Sequence, residues 1–233
     1  GDHVHTARAV GAEIGILAAG QTVLSGEELE ELDDESLDAA LESTRVFARV
    51  SPAHKHRLVG ALQRRGHVVA MTGDGVNDAP ALRAAEVGVA MGITGTDVTK
   101  ETADMVLTDD NFSSIVAAIE EGRAVFQNLR KVVKFLLSTN VGEALTIITS
   151  LLIFPKGVSI ITAIQILWVN LVTDGILDIT IAMEPKEDDV MDEAPRKPDT
   201  GIVDRDMVRN MVIIGILMAA GTLWNFSVDY RAN

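Results

Sequence analysis

Residues 67–82 read HVVAMTGDGVNDAPAL. The first five, His67 to Met71, are a short apolar run of strand type, and they feed straight into Thr72-Gly73-Asp74-Gly75. An isolated Asp-Gly is only a turn signal. Here the turn follows a buried strand and leads into a helix starting near Ala79-Pro80. Asp74 and Asp78 then lie close together at the carboxyl end of the strand, where open α/β sheets place their sites. Two carboxylates and the amide of Asn77 are an oxygen donor set suited to a hard cation such as Mg²⁺. Gly73 and Gly75 let the backbone approach a phosphoryl group closely.

Outward from this stretch the chain alternates. Ser51-Pro52 opens a helix as N-cap and first-turn proline, and Gly66 stops it. Val87 to Met91 (VGVAM) and Asp104 to Leu107 (DMVL) read as further strands. Such alternation implies a parallel sheet with helices on its faces, an α/β fold. Lys55, near the start of the preceding helix, offers a point charge for a phosphoryl oxygen. Gly1-Asp2 precedes a helix with Thr6 in its first turn and reads as a second phosphate-side loop. Glu27 to Asp38 holds eight acidic residues. It reads as one solvated helix capped by Ser25 with Glu28 three residues on. The pairs His3/His5 and His54/His56 have no evident third ligand and are not read as a metal site.

The 233 residues carry 34 acidic and 20 basic side chains, a net charge of −14. That excess argues against a nucleic-acid partner, which needs a basic face. There is no cysteine, so disulfides, zinc-thiolate sites and a cysteine nucleophile are excluded. Yet the mean hydropathy is +0.22. The two characters separate after Arg123: residues 1–123 hold 21 acidic and 10 basic side chains, residues 124–233 hold 13 and 10. The second part contains three apolar runs, Phe135 to Pro155, Gly157 to Met183 and Asn210 to Val228. Each has the length of a membrane-spanning helix. Three such runs exceed what a soluble core of this size uses. The expected spans are 135–155, 160–183 and 210–228, with a loop 184–209 between the second and third. Basic residues cluster before the first run and in that loop, so residues 1–123 and 184–209 are expected on the cytoplasmic side. The Phe154-Pro155-Lys156-Gly157 turn then faces the other side.

Charged side chains within a bilayer are costly and mark function. Asn140 and Glu143 are i, i+3 and share a helix face. Asn170, Thr173 and Asp174 share another. The short turn between the two runs makes the helices antiparallel neighbours, so both oxygen-rich faces can converge on a desolvated hard cation. Gly175 weakens the helix after Asp174, and an unwound segment there would free carbonyls to join the shell.

At this point MTGDGVNDAPALRAAEVGVAMG resembles the hinge motif of P-type ATPases, the cation pumps that pass through an aspartyl-phosphate. SPAHKHRLV looks like the family's conserved-lysine segment, and the initial Gly-Asp like the end of its Thr-Gly-Asp loop. The resemblance implies a partial haloacid-dehalogenase-like domain with a Rossmann-type parallel sheet (residues 1–123), joined to an all-α transmembrane region (124–233). It implies ATP as substrate and Mg²⁺ as cofactor, with Asp74 on Mg²⁺, Asn77 and Asp78 supporting that site, Lys55 on phosphate, and Gly1, Asp2, Gly73 and Gly75 around it. STNVGEAL and QILWVNLVTDG look like the fifth and sixth membrane helices of type II pumps, especially the sarco/endoplasmic reticulum calcium-pump group. The third run would be the seventh. In that group the positions matching Asn140, Glu143, Asn170, Thr173 and Asp174 are cation ligands, which makes calcium the first expectation. One departure stands out: Ile176-Leu177-Asp178 replaces the Pro and Ala that follow the Asp-Gly in that group. Asp178 lies on the face of Asp174 and Asn170 and is expected as an entry carboxylate or added ligand.

No Asp-Lys-Thr-Gly-Thr occurs in the chain. The expectation is an internal piece of a multi-pass pump, inactive alone, whose nucleotide-binding and actuator domains and other membrane helices are its partners. The competing expectations are a soluble phosphatase of the same superfamily and a non-catalytic membrane remnant of a pump.

Overall fold

The computed structural model describes residues 3–18, 20–155, 158–196 and 200–232, apart from the side chains of Thr173 and Ala232. The chain forms two compact units, one up to Ile115 and one from Val116.

The first unit is α/β. Helix α1 spans Val4–Glu13, strand β1 Val23–Ser25, α2 Gly26–Glu31, α3 Asp34–Ala40, β2 Val46–Ala48 and α4 Pro52–Arg64. Then come β3 Ala70–Gly73, a 3₁₀ turn Val76–Asp78, α5 Ala79–Ala84, β4 Val87–Met91, α6 Asp97–Thr102 and β5 Met105–Leu107. All pairing is parallel: β1 with β2, and separately β3–β4–β5 in that order. Three-residue strands such as β1 and β2 are too short for a period to register, and the hydrophobic pattern does not reveal them.

Helix α4 forms where its sequence says. The Ser51 hydroxyl accepts from the His54 N–H at 3.2 Å, and His54 Nδ1 accepts from the Ser51 N–H at 3.2 Å. Gly66, with φ of 80°, ends it in a left-handed turn that suits glycine. The acidic stretch 27–38 is two helices, not one. Leu32 is extended, and Asp33 starts α3 by accepting from the Ser36 N–H at 2.8 Å. Arg57 fixes the break by donating to Leu29 O at 2.7 Å, Leu32 O at 2.6 Å and Asp34 Oδ1 at 3.0 Å. Leu29, Leu37, Leu41 and Ala61 are the core beneath it. A second core, Val89, Met91 and Leu107, takes Ile115 against it. Beyond β5, Asp110 accepts from the Ile93 and Thr94 N–H groups at 3.0 and 2.8 Å. These donors, Ile93 foremost, hold its carboxyl below the usual range.

The second unit is helical. Helix α7, Ser113–Ile153, runs 41 residues without proline. Helix α8 is Ala163–Asn170, followed by a π-helical stretch Leu171–Leu177 and α9, Asp178–Ala182. Helix α10 is Arg205–Ala232. Three continuous helical stretches, Ser113–Ile153, Ala163–Ala182 and Arg205–Arg231, are long and apolar enough to cross a membrane. Thr162 and Gln165 form a capping box that starts α8.

The packing of this unit is the reverse of a soluble core. The buried face of α7 is small and polar: Ser138, Thr139, Gly142, Thr146 and Ser150. Leu151, Leu152, Trp168 and Trp224 point outward, Leu152 at 81% exposure. The buried hydroxyls bond back to their own helix, as Thr146 does to Gly142 O at 2.7 Å. Gly142 is a contact residue. A Cβ there would lie 3.1 Å from Met218 Cβ, and one on Gly215 would lie 2.7 Å from Val141 Cγ1. Small residues thus bring α7 and α10 together, as in membrane helix pairs.

Candidate functional site

The soluble site is built at the end of β3. Gly73 closes the strand, and a Cβ on it would lie 2.6 Å from Asp78 Cβ, so only glycine admits the Asp78 side chain. The 3₁₀ turn Val76–Asp78 brings that side chain back under the strand, where it is buried. Lys55, from α4, donates from Nζ to Asp78 Oδ1 at 2.6 Å. The pair therefore ties the first turn of α4 to the loop after β3. Asp74 and Asn77 are exposed, and neither side chain has a hydrogen-bond partner among the described residues. The Thr96 N–H donates to Asp74 O at 3.0 Å, so the loops after β3 and β4 meet beside it.

The two adjacent carboxylates thus have different work. Asp78 is committed to Lys55, while Asp74 is open at the strand end with a carboxylate available to a cation. Lys55 keeps two of its three N–H donors for another acceptor. Gly75 has no neighbour within 3.4 Å of its missing Cβ, so close packing does not demand glycine there. Gly1 and Asp2, expected as a second phosphate-side loop, lie outside the described residues. His54, buried, serves as a cap, and its Nε2 lies 3.2 Å from Glu30 Oε1.

The membrane site is built on α7 and the α8–π–α9 helix. Asn170, with its amide nitrogen turned to the carboxylate, donates to Glu143 Oε1 at 2.8 Å and to Oε2 at 3.2 Å. Asp174 is within electrostatic reach of both Glu143 and Asp178. Glu143, Asn170 and Asp174 therefore come together. Asn140 does not: it is exposed, one turn back on α7, with no side-chain hydrogen bond among the described residues. The Thr173 side chain lies outside the described residues. The open, unwound segment expected at Gly175 is instead a π-helical stretch. It keeps the helix continuous by shifting its hydrogen bonds from i−4 to i−5, a form that recurs at functional sites.

Sequence reasoning missed the ties between α7 and the segment after α9. Asn128, buried on α7, donates to Ala182 O at 3.4 Å and Glu184 O at 2.7 Å, capping the end of α9. Arg123 donates to Val190 O and Glu193 O, Lys131 pairs with Glu184 and Glu187, and Arg196 stacks on Phe126 at 3.7 Å. Lys186 pairs with Glu120 at 2.6 Å, which holds its ammonium above the ordinary value. Arg130 pairs with Asp204, which caps α10 by accepting from the Met207 N–H at 2.8 Å. The runs of charge in 120–134 and 184–193 were the available signal, but each partner lies more than 50 residues away in the chain.

The chain thus combines an α/β unit with an open carboxylate at a strand end and a helical unit, long and apolar enough for a membrane, with carboxylates among small polar residues. The comparisons agree along the chain. Residues 1–86 and 56–119 each match haloacid dehalogenase-like hydrolases, and residues 158–233 match the family described as cation transporting ATPase, C-terminus. The chain is 46% identical over its whole length to "Calcium-transporting ATPase" of Bacillus subtilis (strain 168), covering 26% of that protein. It is 50% identical over 97% of its length to "Probable cation-transporting ATPase F" of Mycobacterium tuberculosis (strain ATCC 25618 / H37Rv), covering 25% of it. It is 42% identical over its whole length to "Calcium-transporting ATPase type 2C member 1" of Pongo abelii, again covering 25%. The chain is therefore homologous throughout to P-type cation-transporting ATPases, and it spans about a quarter of the length of these curated relatives.

Proposed function

We propose that this chain is the part of an ATP-driven cation pump that joins phosphate chemistry to the ion path. The observation that carries the reading is the Asn170–Glu143 hydrogen bond, with Asp174 beside it, on helices suited to a membrane. A half-buried carboxylate on a helix suited to a membrane is costly and marks function. Glu143, Asn170 and Asp174 are the oxygen ligands of the transported cation. Calcium is the first candidate, because two of the relatives above carry it in their names. Residues 1–123 and 184–209 are cytoplasmic.

In the soluble unit, Asp74 would hold Mg²⁺, which when bound neutralises charge on a transferring phosphoryl group. Asp78 holds Lys55 at the strand end, and the free N–H groups of Lys55 face a phosphoryl oxygen. Asn77, open to solvent three residues after Asp74, offers its amide oxygen to the same site. Helix α7, Ser113–Ile153, carries Glu143 and is continuous in the chain with the α/β unit.

The test uses the full-length pump in membranes. Wild type forms an acid-stable phosphoenzyme from ATP only when the transported cation is present, and a series of calcium, manganese, sodium and proton concentrations identifies the ion. Glu143→Gln is expected to abolish that cation dependence while leaving phosphorylation from inorganic phosphate. Normal cation affinity in Glu143→Gln would refute the assignment.

A further inference from the structure

Asp178 sits where the π-helical stretch gives way to α9. Its Oδ1 is shielded from solvent and has no hydrogen-bond partner among the described residues. A carboxylate oxygen removed from water without a donor is unfavourable, more so within a membrane. Asp174, another acid, precedes it by four residues on the same helix, so this neighbour adds repulsion instead of relief. The Thr180 hydroxyl, two residues on, donates to Ile176 O at 3.0 Å and is not turned toward it.

The spacing supplies the rest. Asn170, Asp174 and Asp178 recur at intervals of four, so through α-helical and π-helical turns alike they form one stripe. Two members of that stripe, Asn170 and Asp174, already belong to the site proposed around Glu143. The third continues it toward the loop that follows α9. A buried oxygen lacking a donor, in line with two cation-type ligands, is a position for a positive charge. We propose that Asp178 is a further ligand of the transported cation, forming an anionic subsite on the loop side of Asp174. With Glu143 and Asp174 it spaces three carboxylates along the path, not round one point: among the described residues no three acidic or histidine side chains are grouped to hold one metal ion. The inference rests on the pump reading above.

The experiment compares wild type with the near-isosteric Asp178→Asn in the full-length pump, using calcium and manganese as probes. The cation concentration giving half-maximal phosphorylation from ATP is expected to rise about tenfold or more in Asp178→Asn, with phosphorylation from inorganic phosphate preserved. Asp178→Glu, which keeps the charge, is expected to recover part of the loss. An unchanged half-maximal concentration overturns the proposal, as expected if a basic side chain elsewhere in the protein satisfies Oδ1. Equal loss of both phosphorylation reactions in Asp178→Asn also overturns it, since that marks a structural carboxylate. A wild-type pump with no cation stimulation would instead sink the pump reading itself.

Discussion

Lys55 and Asp78 show what a single residue contributes. Asp78 is 9% exposed and would be a poorly solvated charge without its partner, while Lys55, 31% exposed, reaches it at 2.6 Å. Removing one member of a buried pair leaves the other uncompensated. Lys55→Ala is therefore expected to destabilise the fold by about 2–3 kcal/mol, below the usual cost of breaking a fully buried pair because Lys55 is partly solvated. Lys55→Ala with Asp78→Asn is expected to recover part of that loss. Denaturant titration followed by circular dichroism checks both, and an unchanged midpoint in Lys55→Ala would mean the pair is screened. Both residues are legible in the sequence, each in its own motif, but their union is not. They are 23 positions apart, and the missing Cβ of Gly73 is what lets Asp78 fold back to meet the lysine. The sequence pattern treats Asp74 and Asp78 alike; only their burial separates an open carboxylate from a committed one.

At the scale of elements, the membrane helices associate through what they lack. Gly215 lies against Val141 and Gly142 N, and Gly142 against Met218, so backbone meets backbone where side chains would hold the helices apart. Gly215→Val is expected to lose about 1–3 kcal/mol through overpacking, lowering the thermal midpoint in detergent. Gly221→Val is the control, because nothing lies within 4 Å of its missing Cβ, and its midpoint is expected to stay near wild type. Helix existence was readable from apolar length, and the start of α4 from its cap. The reach of α7, Ser113–Ile153, well before the apolar run at Phe135, was readable too: the sequence from Phe112 to Leu152 keeps an uninterrupted helical pattern with no proline, and a helix continues wherever its backbone bonds do, whatever the solvent. The π-helical stretch had only a glycine to announce it, and a glycine does not say how the ladder will adjust.

For the molecule as a whole, the absence of Asp-Lys-Thr-Gly-Thr from these 233 residues has a direct consequence. Residues 1–233 expressed alone are expected to incorporate no acid-stable phosphate from radiolabelled ATP, in contrast to what the proposed pump reading requires of a full-length protein. Labelling of the isolated chain would place the acceptor on a residue not considered above. The acidic balance with a hydrophobic average already required two regions facing two solvents, since burial of apolar area and hydration of charge cannot be satisfied in one. By itself, then, the sequence determined the α/β and helical parts, the strand-end motif and the apolar spans, because these follow from local periodicity, caps and composition. Only the tertiary structure decided that Asp78 belongs to Lys55, that Asn170 reaches Glu143 while Asn140 does not, and that Asp178 keeps a buried oxygen without a donor among the described residues. Those facts depend on distances between residues remote in the chain, which packing sets and no local pattern encodes.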